Sequence, residues 1–218
     1  MDIVVPTDSG PGRLAVAVAD HPAAVLWLGH GAGGGIEAVD LAALATALPA
    51  LGVTVARFEQ PWRTAGKRLA PRPAALDAAW LQAAPLVREL AAGLPLVVGG
   101  RSAGARRRTA ESVGAAAVVC LAFPLHPPGR PDKSRLDELL APEVPVLVLQ
   151  GERDTFGTAA EVAGAVGSAD GRADIAVVGV PDADHSLKTP ARSPVRAADV
   201  ADVLTVSVAD FIRHVTRA

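Results

Sequence analysis

Short runs of β-branched and aliphatic residues alternate with longer helix-spaced segments along nearly the whole chain, and few architectures accommodate that alternation. Parallel strands need a long crossover between them. Repeated strand–helix order therefore predicts an α/β fold, a mostly parallel sheet with helices on both faces. Strands are expected over 14–19, 23–28, 53–58, 94–99, 116–122, 144–150 and 175–180. Helices are expected over 39–51, ended by Gly52, and through the segment that places Leu76, Trp80, Val87 and Ala91 at helical spacing, with Pro85 as a potential kink. Further helices are expected over 103–113, 132–140 and 158–166, and a closing helix carries the stripe Val200, Leu204, Val208, Phe211 and Val215. Residues 60–73, rich in Pro and Arg, read as a loop on the rim of the sheet. The 218 residues suit one domain spanning 1–218. The inserts between elements leave room for no more than a minimal lid.

Composition narrows the partners. Half of the residues are hydrophobic and 20% charged, as in a globular domain. A net charge of −2 supplies no attraction to nucleic acid or an anionic membrane. The N-terminus lacks a basic segment followed by an apolar one, and no apolar run approaches the roughly 20 residues that span a bilayer. A cytoplasmic protein is expected. The single cysteine, Cys120, cannot form an internal disulfide and reads as a buried strand residue. Five scattered histidines and no clustered cysteines offer no metal ligand set, and no cofactor is expected.

The chemistry is concentrated at Gly100-Arg101-Ser102-Ala103-Gly104, which follows the apolar run 94–98. A serine hydroxyl is a poor nucleophile unless it is presented to a base. A sharp strand-to-helix turn flanked by glycines presents it. The alternative is a serine that merely caps a helix after a Gly-rich loop. A base and an orienting acid decide between these readings, and both follow at strand ends. Asp154 lies just past the strand 144–150, 52 residues after Ser102, and His185 follows the strand 175–180 by way of Pro181-Asp182-Ala183-Asp184. The order Ser, Asp, His is that of α/β-hydrolases, with each member beyond the carboxyl end of a strand. Asp154 could instead cap the helix near Thr158, Asp182 or Asp184 could orient the histidine, and Glu152 is a rival acid expected to face away.

The second Gly-rich segment, Gly29 to Gly35, directly follows the strand 23–28. Acyl transfer needs two backbone N–H donors for the developing oxyanion. Ala103, after the nucleophile, supplies one, and Ala32 is the choice for the other, with Gly31 or Gly33 as alternative donors and both also candidate substrate-binding residues. His30 then organises the loop. The spacing Gly29-x-Gly31-x-x-Gly34 also fits a dinucleotide fingerprint, with Arg57 or Glu59 placed to meet a ribose. It does not open a clean βαβ unit, however, and a chain without tyrosine cannot carry a Tyr-x-x-x-Lys pair.

Several segments together resemble a known family. They are Gly99 to Arg106, Phe123 to Gly129, Gly151 to Gly157, Ala183 to Ser186, Arg57 to Trp62 and the loop 29–35. The chain is similar over nearly its whole length to a bacterial α/β-hydrolase family related to dienelactone-hydrolase-like proteins and to the hydrolase-like domain of the third regulatory subunit of the NSL histone-acetyltransferase complex. The resemblance implies an α/β-hydrolase fold and a catalytic framework without a defined substrate. It departs from dienelactone hydrolases at Ser102, where a cysteine is typical of that group, so their lactone substrate does not carry over.

The expectation is a serine hydrolase acting on an ester or thioester of a small molecule. The alternative is a non-catalytic scaffold of the same fold that binds a small molecule or a protein. Trp62, beside Pro61, is placed to wall the acyl pocket. Arg101 and Arg106 flank the elbow as candidate substrate-binding residues. With Arg57, Arg63, Lys67 and Arg68 they form either an anion-selecting rim or, in a chain with 18 Arg and 3 Lys, a solvated basic face. The second reading is preferred.

Overall fold

A computed structural model describes residues 1–105, 109–169 and 174–217. Eight strands form one sheet: β1 (Asp2–Val5), β2 (Gly12–Ala17), β3 (Ala24–Gly29), β4 (Val53–Glu59), β5 (Leu96–Arg101), β6 (Ala117–Leu121), β7 (Val146–Gly151) and β8 (Ile175–Val180), in the order β1-β2-β4-β3-β5-β6-β7-β8. β2 runs antiparallel to both neighbours and every other pairing is parallel, as the strand–helix alternation predicts. The helices are α1 (Val39–Ala47), α2 (Pro61–Thr64), α3 (Pro73–Ala91), α4 (Leu136–Leu140), α5 (Ala159–Gly167) and α6 (Ala197–Val215).

Side-chain alternation along the central strands divides the core into two layers. Val25 and Trp27 of β3 face α3, α4 and α5, whereas Ala24, Leu26 and Leu28 face α1 and α6. Central parallel strands buried on both faces need continuous apolar runs. β3, β6 and β7 are buried at every position. Cys120 lies buried in β6, as expected. On the α3 side Trp27 and Trp80 stack with ring centroids 3.6 Å apart, and Phe58 meets Trp80 edge-on at 6.1 Å. α3 continues through Pro85, so Leu76, Trp80, Val87 and Ala91 do share its buried stripe.

Five expectations need correction. The N-terminal strand β1 is absent from the sequence reading, because its apolar run, Ile3 to Val5, is only three residues long and is cut off by Pro6. The rim loop contains the one-turn helix α2, started by Pro61, which suits a first helical position. The helix expected over 103–113 is replaced, among its described residues, by 3₁₀ turns at Ser102–Ala105 and Glu111–Val113. Positive φ at Ser102 and Gly114 bounds that segment. The α-helices expected at 39–51 and 132–140 are also shorter, since a 3₁₀ turn over Leu48–Leu51 finishes the first and α4 starts only at Leu136.

α5 begins with a capping box in which the Glu161 amide donates to Thr158 Oγ1 at 3.2 Å and the Thr158 amide donates to Glu161 Oε2 at 2.7 Å. These bonds to Thr158 hold the Glu161 carboxyl below its ordinary range. Thr158→Ala is expected to lower the unfolding free energy by about 1 kcal/mol. Trp80→Ala, which empties a fully buried indole site, should remove about 3–5 kcal/mol. Urea titration of both variants checks the contrast.

Candidate active site

Ser102 follows the last residue of β5 with φ +52, in the left-handed region that L side chains avoid. Strain of this kind persists only where the surroundings over-determine it. Here neighbouring backbone does so. Gly100 has φ +149, and a Cβ there would overlap the Gly29 carbonyl oxygen and reach 2.6 Å from that of Gly104. A Cβ on Gly104 would collide with the carbonyl oxygens of both Gly29 and His30. The elbow therefore packs directly on the end of β3, with Gly29 and Gly100 as register partners.

His185 Nε2 lies 3.1 Å from Ser102 Oγ, and its Nδ1 lies 2.8 Å from Asp154 Oδ2. A carboxylate only accepts, so the proton sits on Nδ1 and Nε2 is left to accept from the serine hydroxyl. The Asp154 side chain is fully buried, while His185 keeps 21% of its side chain exposed. Asp154 Oδ1 accepts from the Phe156 amide at 2.8 Å, and Oδ2 also accepts from Gln150 Nε2 at 2.9 Å. The Phe156 ring stacks on His185 with centroids 4.1 Å apart.

The competing acids are committed elsewhere. Glu152 accepts from the Asp182 amide at 3.1 Å, which turns its carboxylate away from the histidine as expected. Asp182 pairs with Arg153 at 3.2 Å, and its carboxyl is held below the ordinary range by a hydrogen bond from the Ser193 hydroxyl and then by Arg153. Asp184 closes its own loop by accepting from the amides of Ser186 and Lys188. Thr158, not Asp154, caps α5.

In the Gly-rich loop His30 Nδ1 donates to the Gly31 carbonyl at 2.9 Å and Nε2 accepts from the Gln60 amide at 3.1 Å. Both ring nitrogens serve the loop, the organising role expected of His30. Gly31 is buried, with its Cα flank facing Ser102 Cβ, while Ala32 and Gly33 form an exposed turn. The Ala32 amide donates to no acceptor among the described residues. Ala103 lies in the 3₁₀ turn that begins at Ser102. Arg106 lies outside the described residues.

Two substrate-side expectations change. Trp62 is buried against His30, with ring centroids 5.6 Å apart; it borders a cavity of about 300 Å³ with Ser9, Lys67 and Leu69, away from Ser102, and on the side of Gly31 and Ala32 only a crevice of about 10 Å³. That is room for about one water, not for an acyl chain. The Arg101 guanidinium is turned inward: Nε donates to Asp40 Oδ2 at 3.0 Å and Nη2 donates to the His185 carbonyl at 2.9 Å. Asp40 is fully buried, which pushes its carboxyl above the ordinary range, while Arg101 pulls it back. The ribose-binding alternative also loses its residues. Arg57 donates to the Ile36 carbonyl at 2.8 Å and faces Glu37, and Glu59 pairs with Arg13 at 3.1 Å.

A family model described as an α/β hydrolase domain matches residues 22–213. The chain belongs to this α/β-hydrolase family. Its sheet is that of known members of the fold. It is similar to a lidless α/β serine hydrolase from Xanthomonas campestris, with 21% identity, a TM-score of 0.76 and coverage of 97% of this chain and 94% of that one. An α/β serine hydrolase homologue from Coxiella burnetii gives 15% identity and a TM-score of 0.75, covering 95% and 97%. The esterase domain of a Rhodothermus marinus protein gives 18% identity and a TM-score of 0.65, covering 98% of each chain. No curated protein matches the chain. Among the described residues no helix is long and apolar enough to cross a membrane.

Sequence reasoning missed Gln150, Phe156 and Asp40. Gln150 did leave a signal, as the one polar side chain in the apolar run of β7. It is fully buried. The two hydrogens of its Nε2 are shared among three acceptors, Asp154 Oδ2 at 2.9 Å and the Phe123 and Gly157 carbonyls at 3.1 and 2.6 Å, while its Oε1 accepts from the Phe123 amide at 2.7 Å. Gln150→Leu would leave these groups without partners in the core. An unfolding free-energy loss of about 2–4 kcal/mol is expected in denaturant titration.

Proposed function

We propose that this protein is a serine hydrolase that cleaves an ester or thioester of a small molecule through an acyl-enzyme. The observation that carries the reading is the continuous chain from strained Ser102 through His185 to buried Asp154, at 3.1 and 2.8 Å. Ser102 Oγ attacks the carbonyl carbon as His185 Nε2 takes its proton. The carbonyl oxygen becomes an oxyanion that the Ala32 and Ala103 amides receive, each donor contributing roughly 3 kcal/mol in comparable sites. His185 then protonates the departing alcohol or thiol. Water, deprotonated by the same histidine, releases the acid and restores Ser102. Asp154 keeps the imidazole in the required tautomer and stabilises its charged form.

A small-molecule substrate is our reading, and the likeness to a Xanthomonas protein described as lidless supports an open site that such a molecule reaches directly. An ester is favoured over other acyl compounds by the likeness to the Rhodothermus esterase domain, and a thioester remains within the same chemistry. The kinship with dienelactone-hydrolase-like and NSL-subunit proteins rests on sequence motifs, and with serine as nucleophile it does not extend to a lactone substrate. We place the protein in the cytoplasm, where a single buried thiol needs no oxidising environment.

Ser102→Ala and His185→Ala should abolish labelling by a fluorophosphonate and lower kcat for p-nitrophenyl acetate by at least about 10³-fold. Asp154→Asn should lower kcat by roughly 10³–10⁴-fold through the wrong tautomer, with KM little changed. Failure of the wild-type protein to label, together with a ligand-dependent thermal shift, would instead favour the scaffold reading. Neutral and carboxylated short-chain esters should react at rates within about threefold of each other, since Arg57 and Arg101 are engaged internally. A strong preference for the carboxylated ester would reverse that conclusion.

A further inference from the structure

The geometry points to Arg101 as a positioning residue, anchored by Asp40, that sets the place of His185 relative to Ser102. This inference rests on the serine-hydrolase reading and adds to it a device that the elbow motif leaves open, since its second position tolerates many residues.

Three segments distant in sequence meet at one guanidinium. The Nε–Nη2 edge of Arg101 spans Asp40 Oδ2, near the start of α1, and the backbone carbonyl of His185 itself. The remaining nitrogen, Nη1, lies 3.8 Å from where a Gly31 Cβ would stand, beneath the oxyanion loop. Only 14% of the Arg101 side chain and none of the Asp40 side chain is exposed. A substrate at Ser102 would therefore meet neither charge directly.

The histidine loop needs such a tie. His185 sits beyond β8, an edge strand, and its ring is held by Asp154 on one side and by Phe156 stacking on the other. The main chain that carries it is closed on itself by Asp184 and tied to Arg153 through the Ala183 carbonyl, and none of these bonds reaches the elbow. The Arg101 bond to the His185 carbonyl fixes that main chain to the residue adjoining the nucleophile. Because Arg101 and Ser102 are neighbours, any movement of the elbow is shared by the histidine's anchor. The planar fork matters here. One edge donates two parallel hydrogen bonds to acceptors from different segments, whereas a lysine ammonium is a point charge on a flexible stem. Asp40 holds the fork in that orientation. Burial pushes the Asp40 carboxyl up, and Arg101 foremost, then the amides at the start of α1, oppose that push.

The test compares the wild-type protein with Arg101→Lys and Asp40→Asn, using p-nitrophenyl acetate as substrate. Active sites are titrated with a fluorophosphonate, so that misfolded protein does not count. Arg101→Lys should lower kcat per titrated site by about 10–100-fold, the range a displacement near 1 Å produces, with KM within about twofold of the wild type. Asp40→Asn, which keeps the shape of its partner and the Arg101 bond to His185, should give a smaller loss in kcat in the same pattern. Should Arg101→Lys yield no folded protein, Asp40→Asn carries the test alone. Methylguanidinium should raise kcat of Arg101→Ala where methylammonium does not. Unchanged kcat per titrated site in the lysine and asparagine variants would overturn the inference. So would a raised KM at constant kcat in Arg101→Lys, which would make Arg101 a substrate-binding residue. Absence of both labelling and turnover in the wild type is a different failure: it removes the hydrolase reading, and the positioning role with it.

Discussion

The site depends on a close approach of backbone to backbone at Gly29, Gly100 and Gly104. Across the parallel β3–β5 pair Gly29 faces Gly100, and the 3₁₀ turn folds Gly104 back onto the same carbonyl. Side chains at these positions would meet peptide oxygens that cannot move aside, because those oxygens belong to the two central strands or to the loop just beyond them. The contact accompanies the left-handed conformation of Ser102, and it seats the Ser102 turn against the Gly-rich loop that follows β3. The two Gly-rich segments, separate in the sequence, are one packed unit in the fold.

The acid is stabilised by an analogous division of labour. A carboxylate as deeply buried as Asp154 needs its lone pairs occupied. Gln150, the Phe156 amide and the His185 ring supply partners, and the same glutamine fixes the chain at Phe123 and Gly157. The end of β6, the end of β7 and the start of the α5 connection are thereby linked through one amide side chain. Because Thr158 caps α5 with its own hydroxyl and Glu161, the acid is not drawn into terminating that helix. Polar groups at the strand ends thus fix the three functional side chains in a layer above a core that is otherwise apolar.

Much of this was legible in the chain. The alternation of strand and helix signals predicts the parallel sheet, because burial on both faces demands continuous apolar runs. The order Ser102, Asp154, His185 was readable because each residue follows such a run. What failed has physical causes. β1 is an edge strand whose apolar run, Ile3 to Val5, is too short before Pro6 to register. The segment after the elbow carries good helix formers, yet its described parts are 3₁₀ turns, so local propensity yielded to the packing of Gly104 on β3. Arg101 was misread because a sequence places a charged residue beside the nucleophile without saying which way its long stem turns. Its partner Asp40 lies 61 residues earlier, at what reads as an ordinary helix start.

That misreading bears on how an arginine-rich chain should be interpreted. A row of arginines near a candidate site suggests anion binding, but the suggestion holds only for guanidinium groups left in solvent without partners. Here Arg13 bridges Asp2 and Glu59, Arg57 ties β4 to the Ile36 carbonyl, Arg88 holds the carbonyls of Ser112 and Val113, and Arg101 joins α1 to the histidine loop. Arg13 reinforces pairings the sheet already makes, while Arg57, Arg88 and Arg101 reach carbonyls or carboxylates in loops and helices outside it. The charge is then consumed inside the fold. Among the described residues, Arg101 beside the elbow serves as such a staple, and its presence carries little information about the charge of the molecule that Ser102 would attack.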